Sequence, residues 1–396
     1  MSEEQIPVED EYLEENENNE TEEVKKLIEQ INEVVVYGTD WTVGTIIEQI
    51  KAGNINVNPC FQRRDAWNIE KKIKYIESLI LGFPVPQIVL AEMTRGKFIV
   101  IDGKQRLLSL MQFYGIADKT IGKINNFALN KCELLKDLNG ISYIELESDP
   151  LLNQYYTQLQ NQTVRCVLIK NWNQNILLLE KIFVRLNTGS VPLSPHELRL
   201  ALLNGPFSNY IDEQSYTCKQ IHDLLNVKSF DYRMRDAELI TRFFSFKFFI
   251  NDYTGNISEF LNESIKKLNA TWDEELSTIQ DEYTNFKNGL DFIFKIFTKD
   301  NACRKWNGSS YEKRFNRAIL DGFIYFLTIP SVLDACKGKE KIIEDKFKLL
   351  CKDYDYMESI GVSTKKKSSV ITRFNKTCEL LESVTSTKIE KPEILK

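Results

Sequence analysis

The spacing of apolar positions changes partway along the chain, and that change is the first guide to its architecture. Before residue 170, short apolar runs alternate with helical stripes. Val34 to Tyr37 reads as a short strand, and Val43 to Ala52 as a helix closed by Gly53. Ile55 to Phe61 alternates weakly, as a second strand would. Ile69, Ile73, Ile76 and Ile80 recur at helical spacing, and Gly82 with Pro84 ends that helix. Gln87 to Ala91 and Lys97 to Ile101 predict a hairpin turning through Thr94, Arg95 and Gly96. Leu107, Leu110, Met111 and Tyr114 mark one face of the next helix, and Val164 to Ile169 is a further strand.

From about Asn175 the pattern turns helical. Leu179, Ile182, Phe183 and Leu186 form a stripe that stops at Asn187, Thr188 and Gly189. Ser194 then stands as an N-cap, with Pro195 in the first helical position and Glu197 in the third. Helices with short polar connections follow to about Leu381. The expected fold is α+β, residues 33–190, followed by a mainly α-helical domain, residues 191–396.

Charge adds a third segment. Residues 1–23 hold eleven acidic side chains and no basic one, so a net charge of −6 conceals a body near +5. Residues 1–32 are expected to be an acidic, disordered tail that solubilises the chain or meets a partner. The body is mildly basic, which is compatible with nucleic acid. The most apolar run, Phe243 to Ile250, is short and broken by Ser245 and Lys247, so no membrane span is expected. With an acidic N-terminus in place of a secretory signal, the expected location is cytoplasmic. The eight cysteines are nowhere closer than fifteen residues, which leaves no C-x-x-C pair and predicts reduced, mostly buried thiols. The only histidines are His196 and His222, too few for a complete H-N-H nuclease site, and His196 is expected to face solvent.

Three segments carry candidate chemistry. Phe98 to Leu108 runs strand, turn, helix, with Asp102, Gly103, Lys104, Gln105 and Arg106 at the turn. A helix start offers unpaired N–H groups to a phosphate, Gly103 permits close approach, and Lys104 and Arg106 add charged donors. Asp102 is placed to hold a magnesium ion accompanying a triphosphate. The same letters also read as a D-x-x-Q capping box, Asp102 with Gln105, that any helix can use. Asn58 to Trp67 places Gln62, Arg63 and Arg64 just past a strand, for phosphate and base or ribose, or else as a surface loop plugged by Phe61 and Trp67. Arg185 and Asn187 end the 179–186 stripe, either closing over a ligand or terminating a helix. Elsewhere, Glu238 and Arg242 have the i,i+4 spacing of a pair on one helix face. Ser363 to Ser369 is a basic, hydroxyl-rich loop, either solvated or contacting phosphate.

In order, these segments resemble the N-terminal domain of the GmrSD modification-dependent restriction endonucleases. Ile101-Asp102-Gly103-Lys104-Gln105-Arg106-Leu107 is similar to its I-D-G-Q-Q-R-L string, with Lys104 in place of the commoner glutamine. Phe61-Gln62-Arg63 with Trp67 resembles its F-Q-R…W segment, and Val85-Pro86-Gln87-Ile88 its I-P-x-I. Phe183 to Gly189 matches F-x-R-L-N-T-G, and Pro192 to Arg199 matches P-L-x-x-x-E-L-R. The resemblance implies a ParB/sulfiredoxin-like fold binding, and hydrolysing, a nucleoside triphosphate with Mg2+ in recognition of foreign or modified DNA. Asp102 and Arg106 would be catalytic, and Gln62, Arg63, Gly103, Lys104, Gln105, Arg185 and Asn187 would hold the nucleotide. Residues 250–396 contain no histidine, so the H-N-H nuclease domain of full-length relatives is not expected here, and either a partner chain supplies cleavage or the protein senses and regulates without cutting. The alternatives are a non-catalytic DNA-binding adaptor and a stand-alone ParB-like nuclease.

Overall fold

The computed structural model describes residues 32–57, 67–116, 126–172, 178–179, 182 and 194–396. The acidic N-terminal segment, Cys60, Gln62, Arg63, Arg64, Arg185 and Asn187 lie outside the described residues. The chain divides into two compact units, one running to Leu202 and the other beginning at Leu203. The boundary read after residue 190 therefore precedes the helix Pro195–Leu202, which packs with the sheet: its Leu198 joins Val89, Ala91, Ile99, Ile101 and Trp172 in one core.

The first unit is built on a five-stranded mixed sheet, β1 Val35–Thr42, β2 Ile55–Asn56, β3 Ile88–Thr94, β4 Lys97–Asp102 and β5 Thr163–Lys170, in the order β1-β5-β3-β4-β2. β3 and β4 form the expected antiparallel hairpin, β3 runs parallel to β5, and β2 parallel to β4. Alternation along the strands sends side chains into two cores. Leu90, Val100 and Cys166 meet the helices Val43–Lys51 and Ile69–Ile80 on one face, and Val89, Ile99 and Ile169 fill the other. Covering both faces explains why β4 reads as a nearly unbroken apolar run instead of an alternating one. β1 is longer than its apolar letters suggest, because its polar half, Gly38 to Thr42, is paired residue by residue with β5.

Several side chains sit in unexpected surroundings. His196 is fully buried and not solvent-facing, with Nδ1 3.2 Å from Arg199 Nη1; the helix carrying it is covered on the side where the sequence pattern looked polar. Glu77 is a buried carboxylate that accepts the backbone N–H groups of Glu133, Leu134 and Leu135, at 3.1, 2.7 and 2.7 Å, fixing a distant loop to the Ile69–Ile80 helix. The described cysteines are all buried and unpaired.

The second unit is a helical bundle with a small hairpin, Arg304–Trp306 with Tyr311–Phe315. Its helix Arg235–Phe249 is buried through Phe243, Phe244 and Phe246, the last stacking near Phe260 and Phe374 at 5.2 and 5.3 Å. Glu238 and Arg242 look across the bundle: Arg242 Nη2 donates to Asp321 at 2.5 Å, Arg373 Nη2 reaches the same carboxylate at 3.5 Å, and Glu238 lies 3.8 Å from Arg317. Glu238 and Arg242 are themselves buried, so these long-range contacts are shielded from water. In the 363–369 segment Thr364 is buried, with its carbonyl accepting from Arg373 Nη1 at 2.5 Å, while Lys366, Lys367 and Ser368 are exposed. The Lys365 carbonyl accepts from the Tyr253 hydroxyl. Among the described residues no single helix is long and apolar enough to cross a membrane.

Candidate functional site

Where β4 ends, the chain turns through Gly103 and enters the helix Lys104–Phe113. Gly103 has φ +97, and a Cβ there would come within 3.0 Å of Ile88 Cγ1. Glycine is thus required twice, by the left-handed backbone and by close packing on β3. The face that a side chain would occupy is filled by Ile88, so the glycine tightens the turn instead of opening space on that side.

The capping-box reading of this turn does not hold. Gly103 is the N-cap and has no side-chain cap, while the two polar side chains read as a box engage other partners. Asp102 Oδ2 accepts from Arg106 Nη2 at 2.7 Å, and the same Nη2 donates to the Gln87 carbonyl at 2.8 Å. Gln105 Oε1 accepts from the backbone N–H of Trp67 at 3.2 Å. Lys104 Nζ donates to Glu197 Oε1 at 3.3 Å, with both side chains under a tenth exposed. The second oxygen of Glu197 accepts from the Ser194 backbone at 2.7 Å, and Ser194 Oγ accepts from the Glu197 N–H at 3.1 Å. That reciprocal pair is the capping box foreseen at the start of the Pro195–Leu202 helix.

Four segments far apart in sequence therefore converge on one turn. Gln87 comes from the V-P-Q-I segment, Trp67 from the end of the F-Q-R…W segment, and Glu197 from the P-L-x-x-x-E-L-R segment; the D-G-K-Q-R string receives all three. Gln62 and Arg63, and Arg185 and Asn187 in the fifth segment, are not among the described residues. Sequence reasoning passed over Glu197 as a site residue, although its place in the capped helix and its negative charge were both visible.

Lys104 and Arg106 are buried cations, and Glu197 and Asp102 are the carboxylates facing them. Buried charges require such partners, because removing them from water costs several kcal/mol per ion. Asp102 is held by Arg106. Among the described residues no group of three or more His, Cys, Asp or Glu side chains is placed to hold a metal. One edge of Arg106 is not spent: its Nε, buried, has no hydrogen-bond partner. Nearby, Tyr75 on the Ile69–Ile80 helix stacks edge-on against Trp67 at 5.8 Å, and its buried hydroxyl is also unpartnered. Burial pushes the Tyr75 phenol far up, and the Arg106 charge acts in the opposite direction.

Comparison with known families gives one match: residues 19–204 fit the model described as GmrSD restriction endonuclease, N-terminal domain. No curated protein matches, and no solved structure does. The matched region takes in the whole described sheet and the convergent turn, and it ends at the boundary between the two units.

Proposed function

Residues 19–204 form a GmrSD-family N-terminal domain, and on that premise we propose that the chain is a nucleotide-binding sensor or regulatory component of a restriction or antiphage defence system. It binds a nucleoside triphosphate at the Asp102–Arg106 turn and responds to foreign or modified DNA. The observation that supports this reading is the convergence of four separated segments on a strand–turn–helix with two buried cations at the helix start. Such a helix start favours anions through its N–H groups and dipole. A phosphate arriving at Lys104 replaces one anionic partner, Glu197, with another, so no bare charge is created. Asp102 holds the Arg106 guanidinium in place for a second contact. Magnesium enters with the triphosphate, taking its ligands from phosphate and water.

The test is titration calorimetry with each of ATP, GTP, CTP and UTP in magnesium, on the wild type and on Asp102→Ala combined with Arg106→Ala. The double substitution removes both members of an ion pair, which spares the fold the cost of stranding one charge. Loss of binding with an unchanged circular dichroism spectrum supports the reading, and unchanged affinity in the folded variant rejects it. Phosphate release in the same mixtures reads hydrolysis.

The internal pairing of both cations favours a second reading, a DNA-binding adaptor in which this turn only fastens the Pro195–Leu202 helix to the sheet. DNA affinity that falls steeply with salt and ignores nucleotide would select it.

A further inference from the structure

Among the described residues of the first unit three buried side-chain polar atoms have no hydrogen-bond partner, the Tyr75 and Tyr114 hydroxyls and Arg106 Nε, and two of them, on Tyr75 and Arg106, are tied to the convergent turn. Arg106 uses Nη2 twice, on Asp102 and on the Gln87 carbonyl, while Nε finds no partner although the residue is 6% exposed. Tyr75, also 6% exposed, leaves its hydroxyl without a partner. Both are fixed by their neighbours. Tyr75 packs on Trp67, and the Trp67 backbone is hydrogen-bonded to Gln105, the residue preceding Arg106. A buried polar group with no partner forfeits its hydration for nothing, a cost of roughly 1–3 kcal/mol each. Phenylalanine at position 75 would fill the same space without that cost.

We infer that Tyr75 is a further binding residue of the turn, its hydroxyl and Arg106 Nε–H donating together to a non-bridging phosphate oxygen of the bound nucleotide. This rests on the nucleotide-binding reading above. Two donors and no acceptor edge on the guanidinium select an acceptor oxygen, and phosphate oxygens carry the charge that makes such bonds strong. Through Trp67, the same tyrosine couples the turn to the segment that precedes the Ile69–Ile80 helix.

Tyr75→Phe removes the hydroxyl alone. The expected result is nucleotide affinity weakened about tenfold or more, equally for inorganic tripolyphosphate, with a melting temperature unchanged or raised in the absence of ligand. A purely structural hydroxyl would instead lower the melting temperature and leave affinity alone, which overturns the inference. Weakening for nucleotides but not for tripolyphosphate overturns the phosphate assignment. If the wild type binds no nucleotide, both this inference and the reading beneath it fail; if it binds and Tyr75→Phe binds equally well, only this inference falls.

Discussion

Each unit buries a cluster of ion pairs, and the two clusters are built differently. In the helical bundle, Asp321 is shared by Arg242 and Arg373, and all three stand within helices whose surroundings are aromatic and aliphatic. In the sheet unit, Lys104–Glu197 and Asp102–Arg106 lie at the ends of elements, at the exit of β4 and the first turns of two helices. Charge in the middle of packed helices is reached only by protein. Charge at the ends of a strand and two helices lies where loops meet and where ligands are usually admitted. The contrast separates a cluster set within packed helices from one set where a strand ends and two helices begin.

The strongest way to break that contrast is Asp321→Asn, which keeps shape and removes the charge shared by two buried arginines. We expect a loss of about 4–5 kcal/mol, measured by urea denaturation, with no effect on nucleotide affinity. Glu197→Gln is the matching change in the sheet unit. It keeps an acceptor for the Ser194 N–H but removes the carboxylate that faces Lys104, and is expected to cost about 3 kcal/mol while tightening tripolyphosphate binding in calorimetry. Stability lost without any gain in affinity would make the two clusters equivalent. Gly103→Ala should cost about 2 kcal/mol, because φ +97 strains any side chain and Ile88 stands in the way; a smaller shift in melting midpoint would show that β3 yields.

The smallest effect is read through pH. Partial burial works to raise the Glu344 carboxyl, but hydrogen bonds from Lys341, Lys348 and Tyr311 overcome it and bring it from 4.5 down to about 2. A carboxyl held low in the folded state stabilises above its unfolded value, and that contribution is lost as pH falls from about 4.5 towards 2. Glu344→Gln should flatten the pH dependence of the urea midpoint in this window and lower the midpoint near neutrality, where the carboxylate contributes in full.

Much of this architecture was legible in the letters. The hairpin of β3 and β4, the Ile69–Ile80 helix and the Ser194 capping box each follow from a local pattern of period or cap, and local patterns survive folding. The partners of charged residues were not legible. Asp102 and Gln105 spell a cap, yet one binds Arg106 and the other the backbone of Trp67, because the turn lies against segments brought from elsewhere. Lys104 and Glu197 are 93 residues apart, and nothing in either neighbourhood announces the other. His196 misled for the same reason: a helix face that reads as polar can be covered by another element.

The buried thiols have a practical use. Burial raises Cys132 to about 11 and Cys166 to about 12 in the sheet unit, and Cys336, Cys351 and Cys378 to about 11 in the bundle. At neutral pH these sulfurs are protonated and shielded, so an alkylating reagent captures each only after the surrounding structure opens. Peptide mapping after timed labelling would then read the opening rates of the two units separately from one sample, with native side chains as the reporters.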